Sequence, residues 1–194
     1  AAINASAITA LTSDTIDNIK TLLTAGNDTD QFTDTSFASL TGVTVSDETL
    51  DGSKLADAID QANSATGDTS VVFTISAANT IEGSEANFTA LLTDDGNNQI
   101  DIDDQDISVS GTISVDNANL LDTATTGTIT ASIDTDETVT ELKTLTGTTH
   151  AYTIVIAAGD ATSSSADDLN TINEKTTAAI NASAITAVSY THLR

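Results

Sequence analysis

The ten residues that open this chain, AAINASAITA at 1–10, recur without change at 178–187. Ten identical positions in a row are not a coincidence of composition, even in text rich in Ala, Ile and Thr. The chain reads as one full period of a tandem array, residues 1–177, followed by the first strand of the next copy, residues 178–187. A module copied head to tail must present ends that fit its own neighbours, and this restricts the folds open to it.

After Ala187 the two copies part abruptly, Leu11-Thr12-Ser13-Asp14 against Val188-Ser189-Tyr190-Thr191. The tail 188–194, VSYTHLR, holds the only Arg and resembles translated sequencing-adapter read-through at the end of an assembled environmental sequence. It reads as non-native and has no expected part in the fold. The chain has no Met, and Ala1 is not expected to be a natural N-terminus.

Within the period a shorter rhythm runs. Stretches that alternate apolar with polar residues predict strands at Ile3–Ala7, Val43–Val45, Phe73–Ile75, Ile100–Ile102, Ile129–Ile133 and Tyr152–Ile156, and the cycle restarts at Ile180. Between them lie helical stripes at i, i+3, i+4 spacing: Ile16 to Leu23, Leu55 to Ala62, Phe88 to Leu92, Leu120 to Ala124, Val139 to Leu145, and Leu169 with Ile172. Ser13, Asp51, Ser84, Asp116 and Thr135 stand where N-caps belong, and Ser165-Ala166-Asp167-Asp168 has the form of a capping box. Strands joined through helices are parallel with right-handed crossovers. No single strand-plus-helix unit has enough apolar surface to fold alone, so the units must bury their cores by stacking.

The expected fold is α/β: a solenoid of about six strand-plus-helix units, a parallel sheet with helices on one face, resembling a leucine-rich-repeat protein in layout though not in consensus. Ile107–Val115 is the longest clean alternation in the chain and fits less neatly, either as one strand or as part of a hairpin with Ile100–Ile102. It feeds the alternative fold, tandem all-β immunoglobulin-like sandwiches.

Charge removes several functions. Twenty-nine Asp and Glu against five Lys and Arg leave a net charge of −24, a field that repels phosphates and anionic lipid headgroups. Nucleic acid is not an expected partner. No apolar run approaches the roughly 18 residues of a membrane span, so membrane insertion is not expected either. With no Cys, thiolate chemistry and disulfides are absent. Hydrophobic residues still make up 39% of the chain, too many for an acidic disordered segment, which points to a folded core of small aliphatics.

Two acidic clusters are candidates for calcium, which takes six to eight oxygens on a flexible loop. The first choice is Asp94, Asp95, Asn97, Asp101, Asp103 and Asp104; the second is Asp28, Asp30 and Asp34. Neither matches the EF-hand loop, and the ordinary reading is a solvated turn in a chain that is acidic throughout. No other cofactor is expected. His150 reads as a residue of an exposed loop rather than a catalytic base, and no catalytic grouping stands out. The polar side of the strands, including Asn4, Ser6, Thr44, Ser46, Thr74, Thr130, Ser132 and Thr153, offers a hydroxyl array that could bind a polysaccharide, though Thr and Ser are also ordinary solvent-facing strand residues.

The segments ATTGTITASI (124–133), ELKTLTGTT (141–149) and DLNTINEKTTAAINASAIT (168–186) resemble the Thr/Ala/Asp-rich tandem repeats of giant surface or exported proteins of cyanobacteria and other marine bacteria. The resemblance implies an extracellular or cell-surface location and a role as spacer or adhesin stalk. It brings no catalytic residues. The expectation is a non-enzymatic structural repeat whose partners are neighbouring copies of itself, with end-to-end self-association. The alternative is a calcium-dependent or carbohydrate-binding adhesin module.

Overall fold

The computed structural model describes residues 6–26, 37–67, 71–75, 80–157, 159 and 164–186. The chain is α/β and divides into two compact units, residues 1–105 and 106–194.

In unit 1 the elements are β1 (Ala10–Asp14), α1 (Ile16–Gly26), β2 (Gly42–Val45), β3 (Thr49–Asp51), α2 (Gly52–Thr66), β4 (Val72–Ile75), β5 (Thr80–Ser84) and α3 (Glu85–Gly96). Strands β1, β2 and β4 form one parallel sheet in that order, and β3 pairs in parallel with β5. The register stacks like on like. Val43 stands beside Phe73 and Val45 beside Ile75 on the buried side, while Thr44 stands beside Thr74 on the other. Period-two alternation is therefore what sorts each strand between core and surface. Each fully buried aliphatic contributes about 2 kcal/mol through lost water contact.

In unit 2 the elements are β6 (Asp106–Ile113), α4 (Val115–Ala124), β7 (Ile129–Ile133), α5 (Val139–Leu142), β8 (Ala151–Thr153) and α6 (Ala166–Asn173). Again every pairing is parallel and keeps to chain order, β6–β7–β8. Ile107 neighbours Ile129 and Ile113 neighbours Ile133, with a register shift between Ser108 and Thr112.

All six helical stripes appear as helices, and the parallel pairing through helices excludes the immunoglobulin-like alternative. Several boundaries move. The described part of the first strand signal, Ser6-Ala7, is a turn, and the strand is Ala10–Asp14. Ile100 makes only an isolated bridge to Phe73, and the strand of that stretch is Asp106–Ile113, so no hairpin forms. The short strands β3 and β5 escape the periodicity because each buries a single residue, Leu50 and Ile81.

Three of the capping residues hold. Asp51 accepts from the amides of Ser53 and Lys54, and Ser84 and Ser165 form capping boxes with Asn87 and Asp168. Two shift. The cap of α4 is Ser114, which places Asp116 inside the helix, and the cap of α5 is Thr138, boxed with Glu141, instead of Thr135. Ser13 lies in β1, and Asn18 N instead donates to Thr15 Oγ1 at 3.4 Å.

Candidate functional site

Two acids, Asp47 and Glu137, prove to be fasteners between successive segments. Asp47, in the loop after β2, accepts the first amide of α1 (Ile16 N, 2.7 Å). Glu137, in the loop after β7, accepts the first amide of α4 (Val115 N, 2.8 Å). A carboxylate from the following layer thus satisfies an orphan donor at the positive end of the preceding helix. Burial raises the Glu137 carboxyl, and the Val115 amide offsets part of this.

A second fastener sits at the strand starts. Thr41 donates both its amide and its hydroxyl to Thr9 O, at 2.9 and 3.1 Å. Thr177 does the same to His150 O, at 2.9 and 3.0 Å. Thr125 and Thr176 are both buried, and each accepts at its hydroxyl from the amide two residues on, of Gly127 and Ala178.

His150 is the clearest departure from the sequence reading, for it is 3% exposed. Nδ1 accepts from Ile129 N at 3.1 Å, so the ring carries its proton on Nε2 and donates it to Asp122 Oδ1 at 2.6 Å. Burial pushes the Asp122 carboxyl up, and hydrogen bonds from His150 and Thr146 more than offset this, holding it below the usual carboxylate range. Both ring nitrogens are engaged, which leaves none to take a proton from a nucleophile. The pair is a clasp joining the end of α4, the start of β7 and the residue before β8.

Unit 1 has a counterpart. Gln99 is also buried, donates from Nε2 to Asn63 Oδ1 on α2 at 2.8 Å, and accepts from Phe73 N through its backbone carbonyl at 2.7 Å. Tyr152 lies next to the histidine, ring centroids 5.3 Å apart, fully buried, and its hydroxyl has no hydrogen-bond partner among the described residues.

The residues of the first calcium candidate divide between a helix end and a turn. Asp94 and Asp95 are half-buried in the last turn of α3, and Asn97 follows as its C-cap. Burial, with Asp60 on α2 adding repulsion, pushes Asp94 up to about 6. Burial also raises Asp95, which accepts from Ile102 N at 3.4 Å. Asp101 accepts from Asp103 N at 3.0 Å, closing a local turn, and Asp101, Asp103 and Asp104 are exposed. Among the described residues no three acids or histidines gather in a set able to hold a metal. The second cluster, Asp28, Asp30 and Asp34, lies outside the described residues.

The hydroxyl rows do assemble. Thr44 stands beside Thr74 in unit 1; in unit 2 Ser108 stands beside Thr130, and Ser132 lies between Thr112 and Thr153. Ser46 falls just past β2 and Ser6 lies in a turn, whereas Asn4 is outside the described residues. No described helix is long and apolar enough to cross a membrane. No family model, curated protein or solved structure matches this chain.

Proposed function

We propose that this chain is a non-enzymatic structural repeat: a solenoid of stacked strand-and-helix layers, with helices on one face of a parallel sheet, acting as a spacer in a large secreted or cell-surface protein built from such copies. The observation that carries the reading is the seat of the second decapeptide. Asn181, inside the repeated text, bridges Val155 in parallel, which supports reading residues 178–187 as the opening of a next period set beside the last strand. The chain-order parallel pairing and the fasteners between successive layers support the same reading, because both are devices that can be repeated indefinitely. The net charge of −24 keeps such a rod soluble and apart from other rods.

The test is geometric. One, two and three copies of residues 1–177 joined in tandem should lengthen by a constant increment in small-angle scattering. Growth as the square root of copy number would mean independent beads and would overturn the proposal. The in-register hydroxyl rows favour a second reading, a polysaccharide-binding adhesin module. It predicts retention on an algal polysaccharide column that is lost on replacing Thr74 and Thr130 by Val, and no retention of the parent chain would remove it.

A further inference from the structure

Two surfaces of this molecule are matched to each other through the repeated decapeptide. At the start of unit 1, β1 pairs with β2, and among the described residues no strand pairs with its other edge. Beside it a groove of about 290 Å³ is lined by Ile8, Leu11, Asn18, Ile19 and Leu22. Ile8 is 37% exposed, one of three large apolar side chains left in solvent among the described residues. At the end of unit 2 the edge beyond β8 is filled. Asn181 donates its amide to Ile154 O at 2.8 Å and accepts from Ile156 N at 2.9 Å, and its side chain accepts from Ser183 N at 3.1 Å. The only other place in the chain where this seated text occurs is 1–10, and in both copies the Ser-Ala pair makes a turn, at 6–7 and 183–184.

We propose that this seat is a docking surface for a second copy of the chain. The second copy's first decapeptide replaces residues 178–187 on the Ile154–Ile156 edge, and its β1 and α1 then close their apolar groove against β8 and α6. The resident segment identifies the occupant, because its Asn181 pairs with the edge and that Asn stands within text the chain repeats at 1–10. Exchange of one decapeptide for its identical twin is neutral to a first approximation, so the residues C-terminal to each copy set the balance. After 1–10 come Leu11, Ile16, Ile19, Leu22 and Leu23; after 178–187 comes VSYTHLR, with none of that stripe. Burying the groove favours the incoming copy, while the net charge of −24 opposes it and is weakened by salt. The resident decapeptide is thus a plug that a second copy must displace, a strand exchange of the domain-swapping type.

The proposal rests on the stacking reading of the chain, and its test is separable from it. Sedimentation equilibrium of the full chain is compared with that of Asn181→Pro, which removes the amide donated to Ile154 O from the plug and leaves the incoming decapeptide intact. The association constant should rise about tenfold or more, equivalent to the roughly 1.4 kcal/mol that one lost hydrogen bond and a strained seat represent. Adding Ile8→Asp to Asn181→Pro should abolish the gain. Thr177→Val, which deletes one hydroxyl donor to His150 O, is the milder arm should circular dichroism show the proline variant unfolded, and it should raise association in the same direction. Folded variants of both kinds as monomeric as the parent, or a gain that survives Ile8→Asp, would overturn the exchange. Linear growth of the tandem copies alongside that result would leave the stacking reading standing.

Discussion

Units 1 and 2 both pair their strands in parallel through helices and fasten them differently. In unit 1 the helices run 11, 15 and 12 residues, α2 alone buries Leu55, Ala58, Ile59 and Ala62, and two ion pairs, Lys20–Asp57 and Lys54–Asp17, cross between α1 and α2. In unit 2 the helices run 10, 4 and 8 residues, and α5 buries only Val139 and Leu142. Where the helix is too short to supply apolar cover, the strand starts supply it, with His150 and Tyr152 taking up the core volume. The shortness of α5 has its own cause. The chain after it is pinned to α4, with Thr146 N donating to Asn119 Oδ1 at 2.8 Å and Asn119 Nδ2 donating to Thr144 O at 3.1 Å. The residue before Ile100 in unit 1 belongs to a neutral amide pair, Gln99 with Asn63, where helices are long, and the residue before β8 in unit 2 belongs to an imidazole–carboxylate pair where they are short.

If the two clasps do the same work with different chemistry, removing them should have unequal effects. His150→Ala strands the half-buried Asp122 carboxylate and the Ile129 amide and leaves a cavity beside Tyr152, a loss of about 4 kcal/mol. Gln99→Ala removes one neutral hydrogen bond and should cost about 1.5 kcal/mol. Denaturant titration of both variants measures the ratio. Equal losses would mean that unit 2 does not depend on its clasp more than unit 1 does.

Glycine sharpens the contrast further. Gly147 has φ +72°, and a Cβ there would meet the His150 ring at 2.5 Å and Asp122 Oδ1 at 2.6 Å. Gly67, which ends α2, has φ +67° with nothing within 4 Å. Both replacements by Ala incur about 1 kcal/mol for the left-handed backbone, and only Gly147→Ala adds a collision with the clasp, for a total of about 3 kcal/mol. Hydrogen exchange should show the Gly147→Ala loss confined to unit 2.

The units also differ in acid. Asp94 in unit 1 sits at about 6 when folded, above its ordinary 3.8, so the native state binds the proton first. Its stability contribution is therefore unfavourable above pH 6 and improves as pH falls from 7 toward 5, by about 1 kcal/mol after allowance for solvent screening. In unit 2 Asp168 is held down at about 2, first by Lys143 and then by Ser165, so its stabilising share persists at pH 5 and is lost only as pH drops from about 4 toward 2. Urea midpoints for unit 1 amides should rise between pH 7 and pH 5, and Asp94→Asn should flatten that rise.

Much of this framework is legible in the text, and the gaps have physical causes. The six stripes locate six helices because apolar spacing at 3.6 reports a buried face whatever lies beneath it. The alternation at Ile129–Ile133 locates β7 for the same reason. The burial of His150 escapes the sequence because a single histidine carries no periodicity, and that burial depends on Asp122, 28 residues away in the chain. The fastening roles of Asp47 and Glu137 escape the sequence because the amides they satisfy belong to helices 31 and 22 residues earlier. The one available signal is positional: both acids stand shortly after a strand, within reach of the unsatisfied first amide of the preceding helix.

The smallest effect tests whether the tyrosine of unit 2 belongs to its clasp or only fills space. Tyr152 is fully buried, and its hydroxyl meets no acceptor or donor among the described residues. Burial pushes its proton affinity up, with the Asp122 charge adding to the effect, so the group stays a neutral phenol. A buried hydroxyl without a partner opposes folding, whereas the ring contributes by area alone. Tyr152→Phe keeps the ring and deletes the orphan oxygen, so stability should stay level or rise by about 0.5 kcal/mol. A loss above about 1 kcal/mol in the urea midpoint would show that the hydroxyl holds part of the clasp through an ordered water. Unit 2 would then be fastened by three polar groups instead of two, and its distance from the amide pair of unit 1 would widen accordingly.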